Sequence, residues 1–457
     1  MPKLLSINPS NYKVYAEVEV SSAQEIKKKV ATAKFAQVGW SFREVSDRVK
    51  QLRKALAEFE RRKGEMIGCE SIEMGKPITA AASDFNDAMT FANWYLDNAE
   101  NCLAPETTFE NESEISTVYH EPRGVAAVII PWNYPFLMFI WTAFPNLLAG
   151  NAVVLKHSEE CPLCGHLIEV VMKNHLPEGV FSEVYGNGDV GQMLVNQNID
   201  LLVFTGSSQT GKKLYELTGK KFIPAIMEMG GSAPGIIFED ADIDAAVKSV
   251  SAFRLANAGQ YCDGLKRLIV HETIFDEVEE KLATSFKAMK VGPAVDLETE
   301  LGPLVSKRQL NFLIKQVKNA VEMGARVVTG GHSLEKKLGG AFFEPTVLTN
   351  VTGNMRVWKE EVFGPVLPVI KFKHFPSAVY YANNTPYGLG AYVYTQDKER
   401  ADWVARSIKS GMVSINGANY TMPCNPFGGY KNSGMGREHG KWGFHELTQV
   451  KVVARPK

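Results

Sequence analysis

An α/β protein built on parallel sheets is the fold class that this sequence predicts, on three observations. Short apolar runs at residues 125–130, 152–155, 181–184, 201–204 and 223–227 alternate with helix-like stretches, the strand–helix–strand rhythm of a parallel sheet. A second stretch of the same texture runs from residue 234 to about 411, with strands expected at 236–238, 268–270 and 366–372. The chain has 457 residues and is 45% apolar, too long for one core, so two or more domains are expected.

Residues 21–62 read as helical, because Ala23, Ile26, Val30 and Ala33, then Val49, Leu52 and Leu56, recur at three- and four-residue steps. More helix is expected over 70–98. Residues 107–121 turn polar and then alternate, which suits an exposed strand pair, and 450–454 reads as one more strand. No internal repeat or low-complexity linker interrupts the pattern.

Charged residues make up 22% of the chain and the formal net charge is -1, so there is no electrostatic case for nucleic acid or an anionic membrane surface. The longest apolar run, 125–130, ends at Pro131, far short of a bilayer span. The N-terminus lacks the charged-then-apolar pattern of an export signal. Six cysteines in a chain this long make no disulfide framework and are expected as reduced thiols, in a cytoplasmic protein.

Two segments together suggest thioester chemistry. Cys262 ends Gly259-Gln-Tyr-Cys262, and Glu228 sits in Met227-Glu-Met-Gly-Gly231, 34 residues earlier. A lone cysteine in such a run is usually packing. A carboxylate flanked by methionines is expected to be buried and so to act as a base near neutral pH. A thiol nucleophile with a carboxylate that activates water is the pair that thioester chemistry needs. In Ile130-Pro-Trp-Asn-Tyr-Pro135, Asn133 lies on a stiff turn. It is either simple turn chemistry or an amide held rigidly as an oxyanion donor.

Residues 201–212 read as strand, glycine turn and helix start. Gly206 and Gly211 allow close backbone approach, and the helix N-terminus favours a phosphate; an ordinary strand-to-helix turn would look the same. Gly186-Asn-Gly188-Asp-Val-Gly191 also fits the dinucleotide glycine pattern, but the next strand ends in Thr205 rather than an acid, so this loop at most lines a nucleotide site. Cys161-Pro-Leu-Cys164 has no second CxxC to complete a zinc site. It is either redox-active or fills cap positions ahead of a helix that starts at Pro162. His157 reads as structural.

In this order, and extending from Glu73-Met-Gly-Lys-Pro77 to Pro426-Phe-Gly-Gly-Tyr-Lys-Asn-Ser-Gly434, these motifs resemble the aldehyde dehydrogenase superfamily over essentially the whole chain. The resemblance implies a Rossmann-like cofactor domain (1–106 and 123–230), an α/β catalytic domain (231–440) and a small β extension (107–122 and 441–457) that joins subunits into a homo-dimer or homo-tetramer. It makes Cys262 the nucleophile and Glu228 the general base, with Asn133 and the Cys262 backbone N–H as the oxyanion hole. The cofactor, NAD with NADP as the alternative, would meet Ile130, Trp132, Lys156, Glu159, Gly206, Ser207, Ser208, Met229, Glu361 and Phe363. Tyr134, Met138, Trp141, Tyr261, Asp263 and Phe427 would form the substrate wall. No metal is implied.

Four positions depart from the pattern of the family or of its subgroups. Ser232 follows the double glycine where Lys or Arg is usual; a subgroup resembling short bacterial succinate-semialdehyde dehydrogenases shares this Ser. That subgroup typically has Arg where this chain has Trp141. Tyr134 and Trp141 also resemble the betaine-aldehyde and aminoaldehyde dehydrogenases, although Ala256 replaces an aromatic frequent there. Asp263 next to the nucleophile would repel an anionic aldehyde by roughly 1–3 kcal/mol at about 5–6 Å in a partly dry cleft. The expected substrate is therefore a neutral or cationic aldehyde, small to medium or aromatic. Succinate semialdehyde is the alternative, and a non-catalytic, crystallin-like structural homologue is the rival of another class. A CoA-acylating enzyme would lack a working base, so Glu228 argues against that chemistry.

Overall fold

The computed structural model describes residues 2–457 and contains two large, mostly parallel sheets. In the first, the strand order is Gly434–Met435, Ala225–Glu228, Leu201–Thr205, Val125–Ile129, Ala152–Lys156 and Phe181–Glu183. All pairs are parallel except the one made by Gly434–Met435. Every residue of Val125–Ile129, Ala152–Lys156 and Leu201–Thr205 is buried, as expected of strands covered on both faces. The expected strand at 223–227 begins instead at Ala225, because Pro224 has no N–H to give the ladder.

The order of this sheet places a crevice. Val125–Ile129 comes first in the chain and stands mid-sheet; the next two strands add on one side, and Leu201–Thr205 and Ala225–Glu228 on the other. The loops leaving Val125–Ile129 and Leu201–Thr205 therefore diverge, and ligands bind such sheets in that gap, beyond the carboxyl ends of the strands.

The second sheet has seven strands, in the order Arg326–Thr329, Thr346–Thr349, Val366–Phe372, Leu265–His271, Ala233–Ile237, Tyr392–Tyr394 and Ser414–Ile415. Only Arg326–Thr329 runs antiparallel. Arg326–Thr329, Thr346–Thr349, Tyr392–Tyr394 and Ser414–Ile415 escape a sequence reading because two to four residues carry too little periodicity. A third sheet pairs Glu106–Glu110, Glu114–Pro122 and Thr448–Pro456, all antiparallel. The N-terminal hairpin of Lys3–Asn8 and Lys13–Glu19 is not expected from the sequence; its exposed positions mix Lys3, Lys13, Glu17 and Glu19 with the apolar Leu5, Ile7, Val14 and Tyr15, so no clean polar face marks it.

Both expected helical stretches are divided. The first is Ala23–Ser41 followed by Val45–Arg61. The second is Lys63–Met74 followed by Ile78–Cys102, broken where Gly75 takes φ +85° just ahead of Pro77. Among the described residues, no helix is long and apolar enough to cross a membrane.

Candidate active site

A cavity of about 930 Å3 opens at the crevice, between the carboxyl ends of the first sheet and the loops leading into the second. Residues 131–134 and 205–209 line one side, 228–230 and 261–263 the floor, and 418–423 the far wall.

Asn133 is held by the helix just after it. Pro135 opens the helix Pro135–Leu148, whose residues are all buried, so the turn before it is anchored to the core. The Asn133 Nδ2 donates to the Gln260 carbonyl at 2.9 Å, and Asn257 Nδ2 donates to the Asn133 carbonyl at 3.0 Å. One amide hydrogen of Asn133 remains to point at a ligand.

The loop that carries Cys262 is strained and stapled. Asn257 and Ala258 take φ +50° and +53°, and Gly259 takes +73°. Left-handed backbone costs a non-glycine residue roughly 1–2 kcal/mol. A side chain on Gly259 would collide with the Gly364 carbonyl and the Arg254 guanidinium. Buried Arg254 holds the loop by donating to the carbonyls of Gly259 at 3.3 Å, Val362 at 3.1 Å, Leu265 at 3.1 Å and Gly364. Cys262 thus projects into the cavity, with its sulfur 3.7 Å from Asp263 Oδ1. Burial, then Asp263, push its thiol well above the usual range, while Lys266 pulls the other way.

Glu228 ends the strand Ala225–Glu228, across from Gly434. It is 2% exposed and neither carboxylate oxygen has a protein partner. Burial, then the neighbouring carboxyl of Glu438, raise it well above the carboxylate range, against the pull of Arg437. A Cβ on Gly428 would come within 2.7 Å of Glu228 Oε1, so only glycine lets that backbone pass.

The same cavity continues past Gly206, Ser207 and Ser208, where Ser207 caps the helix Ser208–Lys221 by accepting from the Thr210 N–H at 3.3 Å. Met229, Glu361, Phe363 and Trp132 face it too, with the Trp132 and Phe363 rings edge to face at 5.5 Å. Gly230 leaves room for the Glu361 carboxylate where any Cβ would collide, and Thr205 Oγ1 is a buried polar atom without a partner. These features and a helix N-terminus fit a nicotinamide dinucleotide.

Not every expected residue meets this space. Lys156, Glu159 and Ile130 lie off the cavity, the first two at and just after the end of the strand Ala152–Lys156 and Ile130 just after its neighbour Val125–Ile129. The Ile130 N–H donates to the Lys156 carbonyl at 3.1 Å. The Lys156 ammonium is buried, bonds the His157 carbonyl at 3.0 Å, and stands 4.0 Å from the half-exposed Glu159. Of the expected substrate wall, Tyr134, Met138, Trp141, Tyr261 and Asp263 line the cavity, but Phe427 does not; its ring packs behind Trp141 at 5.3 Å.

Sequence reading missed Asp87, Thr90 and Phe91 on the helix Ile78–Cys102, and Tyr392 and Tyr420, which all line the cavity. It also missed Lys266, whose ammonium bonds the Gly231 carbonyl at 3.0 Å, beside the Ser232 that departs from the family pattern. Lys76, within the first family motif, pairs with Glu70 and Asp84 and lies 3.7 Å over the Tyr134 ring. Cys164 meets Cys69, at 3.3 Å, rather than Cys161, and Glu73 accepts from the Leu163 and Cys164 N–H groups at the start of their helix.

The comparisons with known proteins agree with this geometry. The model of the aldehyde dehydrogenase family matches residues 2–453. A peroxisomal aminoaldehyde dehydrogenase 2 of Pisum sativum is 37% identical, over 98% of this chain and 92% of that protein. A succinate-semialdehyde dehydrogenase [NADP(+)] of Deinococcus radiodurans is 36% identical, over 98% and 94%. An aldehyde dehydrogenase from Bacillus cereus, solved as its NAD+ complex, superposes with a TM-score of 0.96 at 33% identity, covering 100% of this chain and 93% of that one. By sequence and fold the chain belongs to the aldehyde dehydrogenase family, oxidoreductases that act on aldehydes with NAD or NADP.

Proposed function

We propose that the chain oxidises a cationic or neutral aldehyde to its carboxylic acid, with Cys262 as nucleophile and Glu228 as base. One observation carries the charge preference. Asp87, Glu228, Asp263, Glu360 and Glu361 line the cavity, whereas among the described residues Arg308 is its one basic side chain. The Arg308 guanidinium is engaged by Glu160 at 2.7 Å. Glu360 and Glu361 are likewise engaged, by Arg356 at 2.8 Å and by Lys266, so an anionic substrate finds no unpaired cation there, while an ammonium finds the carboxyls of Asp87 and Asp263 and the aromatic faces of Phe91, Tyr134, Trp141 and Tyr420. Both an aminoaldehyde and a succinate-semialdehyde dehydrogenase stand among the relatives, and the lining favours the substrate of the first.

Each residue has its own part in the reaction. The Cys262 thiol loses its proton to water and the sulfur adds to the aldehyde carbon, while the remaining amide hydrogen of Asn133 and the Cys262 N–H hold the oxygen's developing charge. The nicotinamide ring, when bound, supplies the hydride acceptor. Loss of hydride leaves a thioester on Cys262. Glu228, once ionised, takes a proton from water, whose oxygen adds to the thioester carbon; the sulfur leaves and the acid is released. A carboxylate with a raised pKa is the stronger base for that step.

The sheet of Glu106–Glu110, Glu114–Pro122 and Thr448–Pro456 supports a homo-oligomer. Val450 and Val452 stand 70% and 64% exposed on its outer strand, apolar surface that a second copy would cover.

Turnover of 4-aminobutanal, butanal and succinate semialdehyde, scored as kcat/KM, tests the reading. The expected order is the cation or the neutral aldehyde ahead of the anion by at least fivefold; an anion ahead by tenfold overturns the substrate class. Cys262→Ala should abolish turnover while Cys161→Ala and Cys164→Ala retain it, and residual activity above a few per cent in Cys262→Ala would displace the mechanism.

A further inference from the structure

We infer that Lys266 is a positioning residue that clamps Glu361 against the Gly230–Gly231 turn and supplies the positive charge beside Cys262. The inference rests on reading Cys262 as nucleophile and Glu361 as a cofactor carboxylate.

Lys266 is fully buried on the strand Leu265–His271. Its ammonium has three acceptors: the Cys262 carbonyl at 2.8 Å, the Gly231 carbonyl at 3.0 Å and Glu361 Oε1. The same Glu361 oxygen accepts from the Gly231 N–H at 3.0 Å. The ammonium also lies 5.2 Å from the Phe363 ring. One side chain therefore ties together the backbone after the base, the backbone of the nucleophile and both cavity-lining residues of the 361–363 loop. An ammonium with all three hydrogens satisfied inside the protein is placed by its neighbours and in turn fixes them.

The charges around the sulfur give the clamp a second effect. Asp263, Glu361 and Glu228 all disfavour a thiolate at Cys262, as does burial, and Lys266 is the group that favours it. Tyr134 and Tyr261 stand by as well, with phenols held neutral by burial. Glu361 partly cancels Lys266, so the two ends of the clamp push the thiol in opposite directions.

Two readouts that need no turnover test this. The first is the pH midpoint of Cys262 alkylation by iodoacetamide, followed by mass spectrometry; the second is NAD affinity, followed by fluorescence. Lys266→Met should raise the midpoint by about one pH unit and weaken NAD binding roughly tenfold, since a charge-assisted partner of Glu361 is lost. Lys266→Arg should bring both back towards wild type. Glu361→Gln should lower the midpoint, because it leaves the Lys266 charge unopposed. A Lys266→Met protein with the wild-type midpoint and NAD affinity overturns the inference. If Lys266→Met does not fold, a Glu361→Gln midpoint equal to or above wild type overturns it as well. The underlying readings fail separately, through turnover by Cys262→Ala or through undiminished NAD affinity in Glu361→Gln.

Discussion

Asp263 Oδ1 stands 3.7 Å from the sulfur of Cys262, and the other Asp263 oxygen accepts from the Tyr420 hydroxyl at 3.2 Å. A carboxylate at that distance acts on whatever the sulfur attacks. Burial raises the Asp263 carboxyl above its usual range, so its charge, and its effect, grow as pH rises. Asp263→Asn should raise kcat/KM for succinate semialdehyde relative to butanal by roughly tenfold at pH 8, given a like-charge cost of about 1–3 kcal/mol. Equal ratios in variant and wild type would remove Asp263 from the charge preference.

Glu228 bears on the second half of the reaction. Glu228→Gln keeps the shape but removes the base, so hydrolysis of the thioester should slow by about 10²–10⁴-fold while its formation is less affected. Rapid mixing should then show a stoichiometric burst of NADH followed by a slow steady state. Wild-type steady-state turnover would make Glu228 structural.

The adenosine end of the site decides between NAD and NADP. Glu159 lies off the cavity, half-exposed and 4.0 Å from the Lys156 ammonium; an adenosine ribose that extended past the cavity to the end of the strand Ala152–Lys156 would meet there a carboxylate that accepts from both hydroxyls and repels a 2′-phosphate. The Lys156 ammonium, which would favour that phosphate, is buried and turned to the His157 carbonyl. NAD should therefore be preferred in kcat/KM, and Glu159→Ser should narrow the gap. A wild-type preference for NADP of tenfold or more would contradict this.

Glu438 and His439, adjacent and buried, should oppose one another in stability. Burial pushes Glu438 up to about 7 from 4.5, so its contribution is complete below pH 4.5 and is lost as pH rises towards 7. Burial pushes His439 down to about 3 from 6.5, so its contribution is complete above pH 6.5 and is lost as pH falls towards 3. Between pH 4.5 and 6.5 the two slopes have opposite signs, each at most about 1.4 kcal/mol per pH unit. Urea unfolding across that window should show Glu438→Gln gaining stability with pH relative to wild type, and His439→Asn losing it. Parallel curves for the two variants would mean that neither group is held neutral as described.

Local pattern was enough for the α/β class and the five parallel strands of the first sheet, because a fully buried strand carries its signal within a few residues, and the order of the motifs was enough to single out Cys262, Glu228 and Asn133 as candidates. Which side chains share the cavity with them was decided only by the tertiary structure. Asp87 reaches it from a helix 46 residues before Asn133 and 175 before Cys262, and Tyr420 from a loop beyond the second sheet, while Lys266 is buried outside the cavity, bonded to the Cys262 carbonyl from a strand where it reads as an ordinary polar residue. Phe427 sits close to the motif that suggested it, yet packs behind Trp141. Sequence spacing says how far apart residues are along the chain. Direction and burial depend on how two sheets and the loops between them meet, and that meeting settles the charge of the pocket.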